Sequence, residues 1–132
     1  ILNLKIKNIN KDNNERIKIA IKYMMAFKDL PINYPKIRKN SKHTYHLFVI
    51  KIKNRDKLIN YLKLNKIYPS IHYKHSLHDM PSFKKYKKST MFFADELSKN
   101  MISLPLYPGL KDKEQNKVIK VIKKYFSRKN LN

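Results

Sequence analysis

Tyr45-His-Leu-Phe-Val-Ile-Lys-Ile-Lys53 is rich in β-branched and aromatic residues, with Phe48, Ile50 and Ile52 on one side and Lys51 and Lys53 on the other. A period of two over such a run predicts a strand with one face in a core. Asn54 follows as a candidate N-cap. Arg55 to Leu64 then carries Leu58, Ile59, Leu62 and Leu64, which predicts a helix that Asn65 can close in a left-handed conformation. A strand feeding a helix places the chain in the mixed class.

Upstream, Leu2, Ile6, Ile9, Ile17, Ala20, Ile21, Met24 and Phe27 keep helical spacing with Lys and Asn between them, so Leu2 to Phe27 reads as one helix. Leu2, Leu4 and Ile6 also alternate as in a strand. Pro31 and Pro35 end this element and open a connector through Asn40. Downstream, Ile67 to Tyr73 reads as a second strand, Met91 to Asn100 as a helix and Met101 to Leu104 as a third short strand limited by Pro105 and Pro108. The last helix takes Asp112 as N-cap with Gln115 three residues on, and its apolar face holds Val118, Ile119, Ile122, Tyr125 and Phe126. The tail after Phe126 is expected to fray. The expectation is a single α/β domain of the α+β type over residues 1–132, with helices on a sheet of about three strands whose order the sequence leaves open.

The 132 residues hold 31 Lys and Arg against 9 Asp and Glu, a formal net charge of +22. Among them are 27 Lys, 4 Arg, 16 Ile and 14 Asn, a bias that AT-rich coding produces and that lacks the Arg used for bidentate recognition. The lysines are also dispersed, so a solvated basic surface is expected ahead of specific nucleic-acid binding; loose, salt-sensitive attraction to polyanions follows from charge either way. With no Cys, disulfides and thiolate metal sites are excluded. No apolar run approaches the roughly 18 residues of a membrane span, so a cytoplasmic protein without membrane partners is expected.

The stretch richest in chemistry is Ile71-His-Tyr-Lys-His-Ser-Leu-His-Asp-Met-Pro-Ser-Phe83, a loop between patterned segments. Adjacent His72 and Tyr73 offer an imidazole and a phenol as hydrogen-bonding groups, although neighbours on a strand point to opposite faces. His75 and His78 stand at i and i+3, a spacing that can converge on a metal ion, but only Asp79 is near enough in sequence to add a ligand. Hydrogen bonding within the fold or contact with a ligand is the reading favoured for this pair, with no metal. His43 and His46 flank Tyr45 at the first strand and read as structural.

In order along the chain, His43-Thr-Tyr-His-Leu-Phe-Val-Ile50, Ile71-His-Tyr73 with Ser76-Leu-His78, Ala94-Asp-Glu-Leu-Ser98 and Ser103-Leu-Pro-Leu-Tyr-Pro-Gly-Leu110 resemble the C-terminal part of the DegT/DnrJ/EryC1/StrS sugar aminotransferases. One departure is Lys66, where that family usually has Gly. The resemblance implies the small C-terminal domain of a fold-type I aminotransferase: residues 1–30 as a helix connecting from a missing large domain, 41–126 as the small domain and 127–132 as a tail. It further implies a pyridoxal-phosphate enzyme that moves an amino group, usually from glutamate, to a nucleotide-linked keto-deoxysugar for polysaccharide or glycoconjugate synthesis, commonly as a homodimer. His72, Tyr73, His75 and His78 are then the substrate-binding candidates, with the Schiff-base lysine and the cofactor site in the missing domain, and the fragment alone inactive. Two alternatives stand beside this: a non-catalytic basic module that binds polyanions, and a decayed gene remnant.

Overall fold

The computed structural model describes residues 2–86 and 91–129. Its elements are α1 (Leu2–Ile6), α2 (Ile9–Phe27), β1 (Phe48–Lys51), α3 (Arg55–Leu64), two 3-10 turns (Leu77–Asp79 and Pro81–Tyr86), α4 (Phe92–Asn100), β2 (Met101–Leu104) and α5 (Asp112–Lys129). This is the expected mixture of helices around a small sheet. β1 and β2 pair antiparallel with Phe48 opposite Leu104 and Lys51 opposite Met101. A single bridge flanks each outer edge: Asn33 against Lys51, and Ser70 against Ser103.

Among the described residues the sheet therefore has two strands where about three were expected. The run from Ile67 to Tyr73 is reduced to the Ser70 bridge. In an antiparallel ladder the next pair would set Tyr68 against Pro105, which has no N–H to give. The first strand is also shorter than Tyr45 to Lys53. Tyr45 sits at φ 49, outside the extended region, and gives its backbone N–H to His43 Nδ1 at 2.9 Å.

α5 packs against both α2 and α3. Tyr23, Phe27, Phe48, Ile50, Leu58, Leu62, Ile102 and Ile122 form the fully enclosed centre. Burial of this apolar surface is the main stabilising term. Tyr23 gives its hydroxyl to Pro105 O at 3.0 Å, and burial, with Tyr107 second, pushes its phenol well above the ordinary tyrosine value. Gln115, 2% exposed, donates from Nε2 to Ile19 O at 2.8 Å and ties α5 to α2.

Several local expectations are corrected. The N-terminal helix breaks at Asn8, and Leu2, Ile6 and Ile9 are exposed, as are Ile21 and Leu64. Asn54 precedes α3 at φ 61 and makes no side-chain cap. The left-handed residue closing α3 is Lys66, at φ 57, not Asn65; Asn65 instead donates its amide to Tyr61 O. Lys66 N–H reaches Lys63 O and Ile67 N–H reaches Leu62 O, the paired bonds of a Schellman motif. At α5 the reach-back partner is Glu114, whose Oε2 accepts the Lys111 N–H at 3.1 Å, and Asp112 lies inside the helix. The helix also runs through Lys129, past the expected start of the tail.

Candidate functional site

The candidate loop is anchored on β2. Ser103 faces Val49 across the ladder, while its backbone N–H and C=O both bond to Ser70. Its hydroxyl, almost fully buried, lies 2.9 Å from His72 Nδ1. His72 is thereby held half-buried over the strand. Tyr73 turns the other way, 72% exposed, with its ring edge-on to the imidazole at 5.8 Å. One member of the pair is held by the fold and the other is presented to solvent.

Further along, His75 is exposed and His78 is buried. His78 Nε2 lies 2.7 Å from Asp95 Oδ1 on α4 and 3.7 Å from Asp79 Oδ2. These three donor groups lie within 4.8 Å of one another. His75, the other half of the metal pair weighed from the sequence, is not among them. The short His78–Asp95 contact is what a structural tie requires: a polar ring taken out of water meets a partner.

α4, which supplies Asp95, is itself pinned. Arg55, 6% exposed at the start of α3, donates Nη1 to Ser98 O and to Met101 O, while its Nε reaches Asp56 Oδ1 at 3.1 Å. A guanidinium on the last carbonyls of a helix satisfies acceptors that have no partner within the helix and complements the helix dipole. The line from Arg55 through α4 and Asp95 to His78 fixes where the loop sits. Sequence reasoning passed over Arg55, Asp95 and Ser103 as functional supports, though Asp95 and Ser103 lie in motifs that had drawn notice.

His43 and His46 separate in role. His43 accepts the Tyr45 N–H and packs tilted against its ring, centroids 4.2 Å apart, so it shapes the turn. His46 lines an open groove of about 610 Å³ together with Thr44, Arg16, Ile6 and Ile9. Flanking the loop in sequence, Tyr68, Tyr86, Phe92 and Phe93 are each more than half exposed.

Pyridoxal phosphate does not fit this chain by itself. Among the described residues no lysine is buried, and a catalytic amine depends on desolvation or a cationic neighbour. The one glycine, Gly109, already gives its N–H to Glu15 Oε2 at 3.0 Å, so no glycine-rich phosphate cradle is present.

A small antiparallel sheet with helices on it thus carries a histidine–tyrosine loop held on β2 through Ser103. Residues 1–123 match the model of the DegT/DnrJ/EryC1/StrS aminotransferase family, and the chain belongs to that family. It is 26% identical over 125 residues to a dTDP-3-amino-3,6-dideoxy-alpha-D-galactopyranose transaminase of Aneurinibacillus thermoaerophilus, covering 95% of this chain and 34% of that protein. A DegT DnrJ EryC1 StrS aminotransferase from Brucella abortus superposes with a TM-score of 0.88 at 26% identity, covering 96% of this chain and 34% of the other. S. venezuelae DesV shares the fold at a TM-score of 0.90 and 23% identity, covering 94% of this chain and 34% of the other. Structural neighbours include PMP and PLP forms of a sugar aminotransferase from Streptococcus pneumoniae. The chain thus spans about a third of the length of the relatives it matches.

Proposed function

We propose that this chain serves as the C-terminal small domain of a pyridoxal-phosphate-dependent sugar aminotransferase in the cytoplasm. The enzyme would pass an amino group, with glutamate as donor, to a nucleotide-linked keto-deoxysugar for polysaccharide or glycoconjugate synthesis. The observation that carries the reading is the His72–Ser103 contact inside a chain matched to the family over residues 1–123. It sets Tyr73 at the exposed edge of a loop that the fold holds in place.

In this reading residues 1–30 connect to a large domain, residues 41–126 form the small domain, and two copies of the whole enzyme associate. The large domain supplies the Schiff-base lysine and the cofactor site. His72, Tyr73, His75 and His78 belong to the substrate side: Tyr73 and His75 as exposed donors, His72 as a positioned imidazole, and His78 as the buried residue that holds the loop on α4. The exposed aromatics around the loop face the large domain, where docking removes them from water. The domain positions substrate and narrows the cleft.

The test is an enzyme comprising this chain and a large domain, assayed with a dTDP-linked keto sugar and glutamate. Tyr73→Phe should raise KM for the sugar while leaving KM for glutamate unchanged. Unaltered kinetics would remove Tyr73 from the site. The chain alone should give no imine absorbance with pyridoxal phosphate, and a stable imine band would contradict the division of labour.

A further inference from the structure

We propose that the outer ridge of α5 binds the phosphodiester backbone of nucleic acid without regard to sequence. The inference rests on this helix alone, not on the transferase reading. Lys113, Lys117, Lys120 and Lys124 are all exposed. At 3.6 residues per turn they fall within an arc of about 60°, with axial steps of about 4.5 to 6 Å over a length of about 16.5 Å. That arc lies opposite the face through which Gln115, Val118, Ile122 and Phe126 enter the core.

No acidic residue shares the ridge. Asp112 and Glu114 are the helix's two acids. Asp112 is paired with Lys22 at 2.8 Å, and Glu114 accepts the Lys111 N–H. Among the described residues, none of the four ridge ammonium groups has a hydrogen bond or ion pair. Lys113 and Lys117, and likewise Lys120 and Lys124, stand at i and i+4, where like charges repel and weaken a helix. An ordinary solvated face interleaves Glu with Lys at this spacing. A row of uncompensated cations is complementary to a linear polyanion, which relieves that repulsion on binding.

The details favour a phosphodiester over a lipid surface. Val118, Val121, Ile122 and Phe126 of α5 are spent in the core and Ile119 and Tyr125 pack against it, so the ridge carries no apolar face to enter a bilayer interface. Lysines act as point charges that contact phosphate oxygens without reading base edges.

The experiment is fluorescence anisotropy of labelled (dT)20 with the chain, titrated at salt from 50 to 200 mM. Two fourfold variants are compared: Lys113→Gln, Lys117→Gln, Lys120→Gln, Lys124→Gln on the ridge, and Lys36→Gln, Lys39→Gln, Lys42→Gln, Lys57→Gln at exposed sites elsewhere, with the same net charge. The ridge variant should bind on the order of 10²-fold or more weakly at 50 mM salt and lose about 2.8 from the log–log salt slope, at about 0.7 per phosphate contact. The control should stay within a few-fold of the parent. A ridge variant with Arg at all four positions, which keeps charge and helix propensity, should retain binding. Equal losses in the two Gln variants would overturn the proposal in favour of diffuse charge. So would intact (dT)20 binding by the ridge Gln variant together with lost binding to vesicles of phosphatidylserine and phosphatidylcholine.

Discussion

Replacing Lys66 by glycine should stabilise the domain. Lys66 closes α3 at φ 57, and its N–H and that of Ile67 both return to the last turn, so the left-handed geometry is imposed by two hydrogen bonds. A residue bearing a Cβ loses about 1–2 kcal/mol in this region, whereas glycine loses essentially nothing there. Against that, glycine widens the unfolded ensemble, which costs about 0.4–1 kcal/mol. The difference between the midpoints is a net gain of about 0.8 kcal/mol, or roughly 2–4 °C in Tm for a domain of this size. Lys66→Ala keeps the Cβ and should leave stability nearly unchanged. Urea unfolding followed by circular dichroism, at one fixed m-value, reports the difference directly. If Lys66→Gly unfolds at or below the urea midpoint of Lys66→Ala, the left-handed strain assigned to this position is not there.

Other expectations follow from the same contacts. Arg55→Met should cost about 2–3 kcal/mol, since it strands the buried Ser98 carbonyl of α4 and removes the contact to Met101 O at the start of β2; thermal unfolding measures it, and a loss under about 0.5 kcal/mol would mean the guanidinium is idle. Asp95→Ala should raise amide exchange across residues 72–86 and spare α2 and α5, because it removes the partner of His78 alone; uniform exchange through the chain would instead mark global destabilisation. Tyr23 has a phenol pKa raised by burial, so the folded state holds that proton more tightly than the unfolded chain does. Its contribution is complete below the unfolded value and is lost as pH rises above it, so stability should fall from about pH 10 upward. Tyr23→Phe should flatten that fall and cost about 1 kcal/mol at neutral pH, as a pH series of melting curves would reveal.

How far the sequence reveals this structure depends on the range of the forces involved. β1 and α3 were legible because Phe48, Ile50, Ile52, Leu58 and Leu62 announce their faces through local periodicity, and all five are buried. The extents of the strands were not, since Tyr45 departs from extended geometry through a bond to His43, and the Ser70–Ser103 bridge is not extended to Tyr68, whose partner would be Pro105, thirty-seven residues on. Gln115 looked like half of a capping box because the spacing fits, yet its amide is spent on Ile19 O in another helix. In the loop, His72, Tyr73 and His78 were visible as chemistry-bearing residues. That Ser103 and Asp95 would hold two of them depends on tertiary contacts across 31 and 17 residues, which no local pattern encodes.

The two lone bridges at Asn33 and Ser70 bear on how the protein behaves when crowded. A two-stranded sheet ordinarily leaves both margins open, and an open margin is a template on which another chain can add a strand. Here Lys51 has both its backbone groups engaged by Asn33, and Ser103 has both engaged by Ser70. Each margin is therefore occupied at one point, the last residue of β1 and the third residue of β2, and neither side offers an uninterrupted row of donors and acceptors. A segment of only four residues per strand, blocked at one point on each flank, gives little purchase for strand-by-strand assembly into fibrils, even at high concentration.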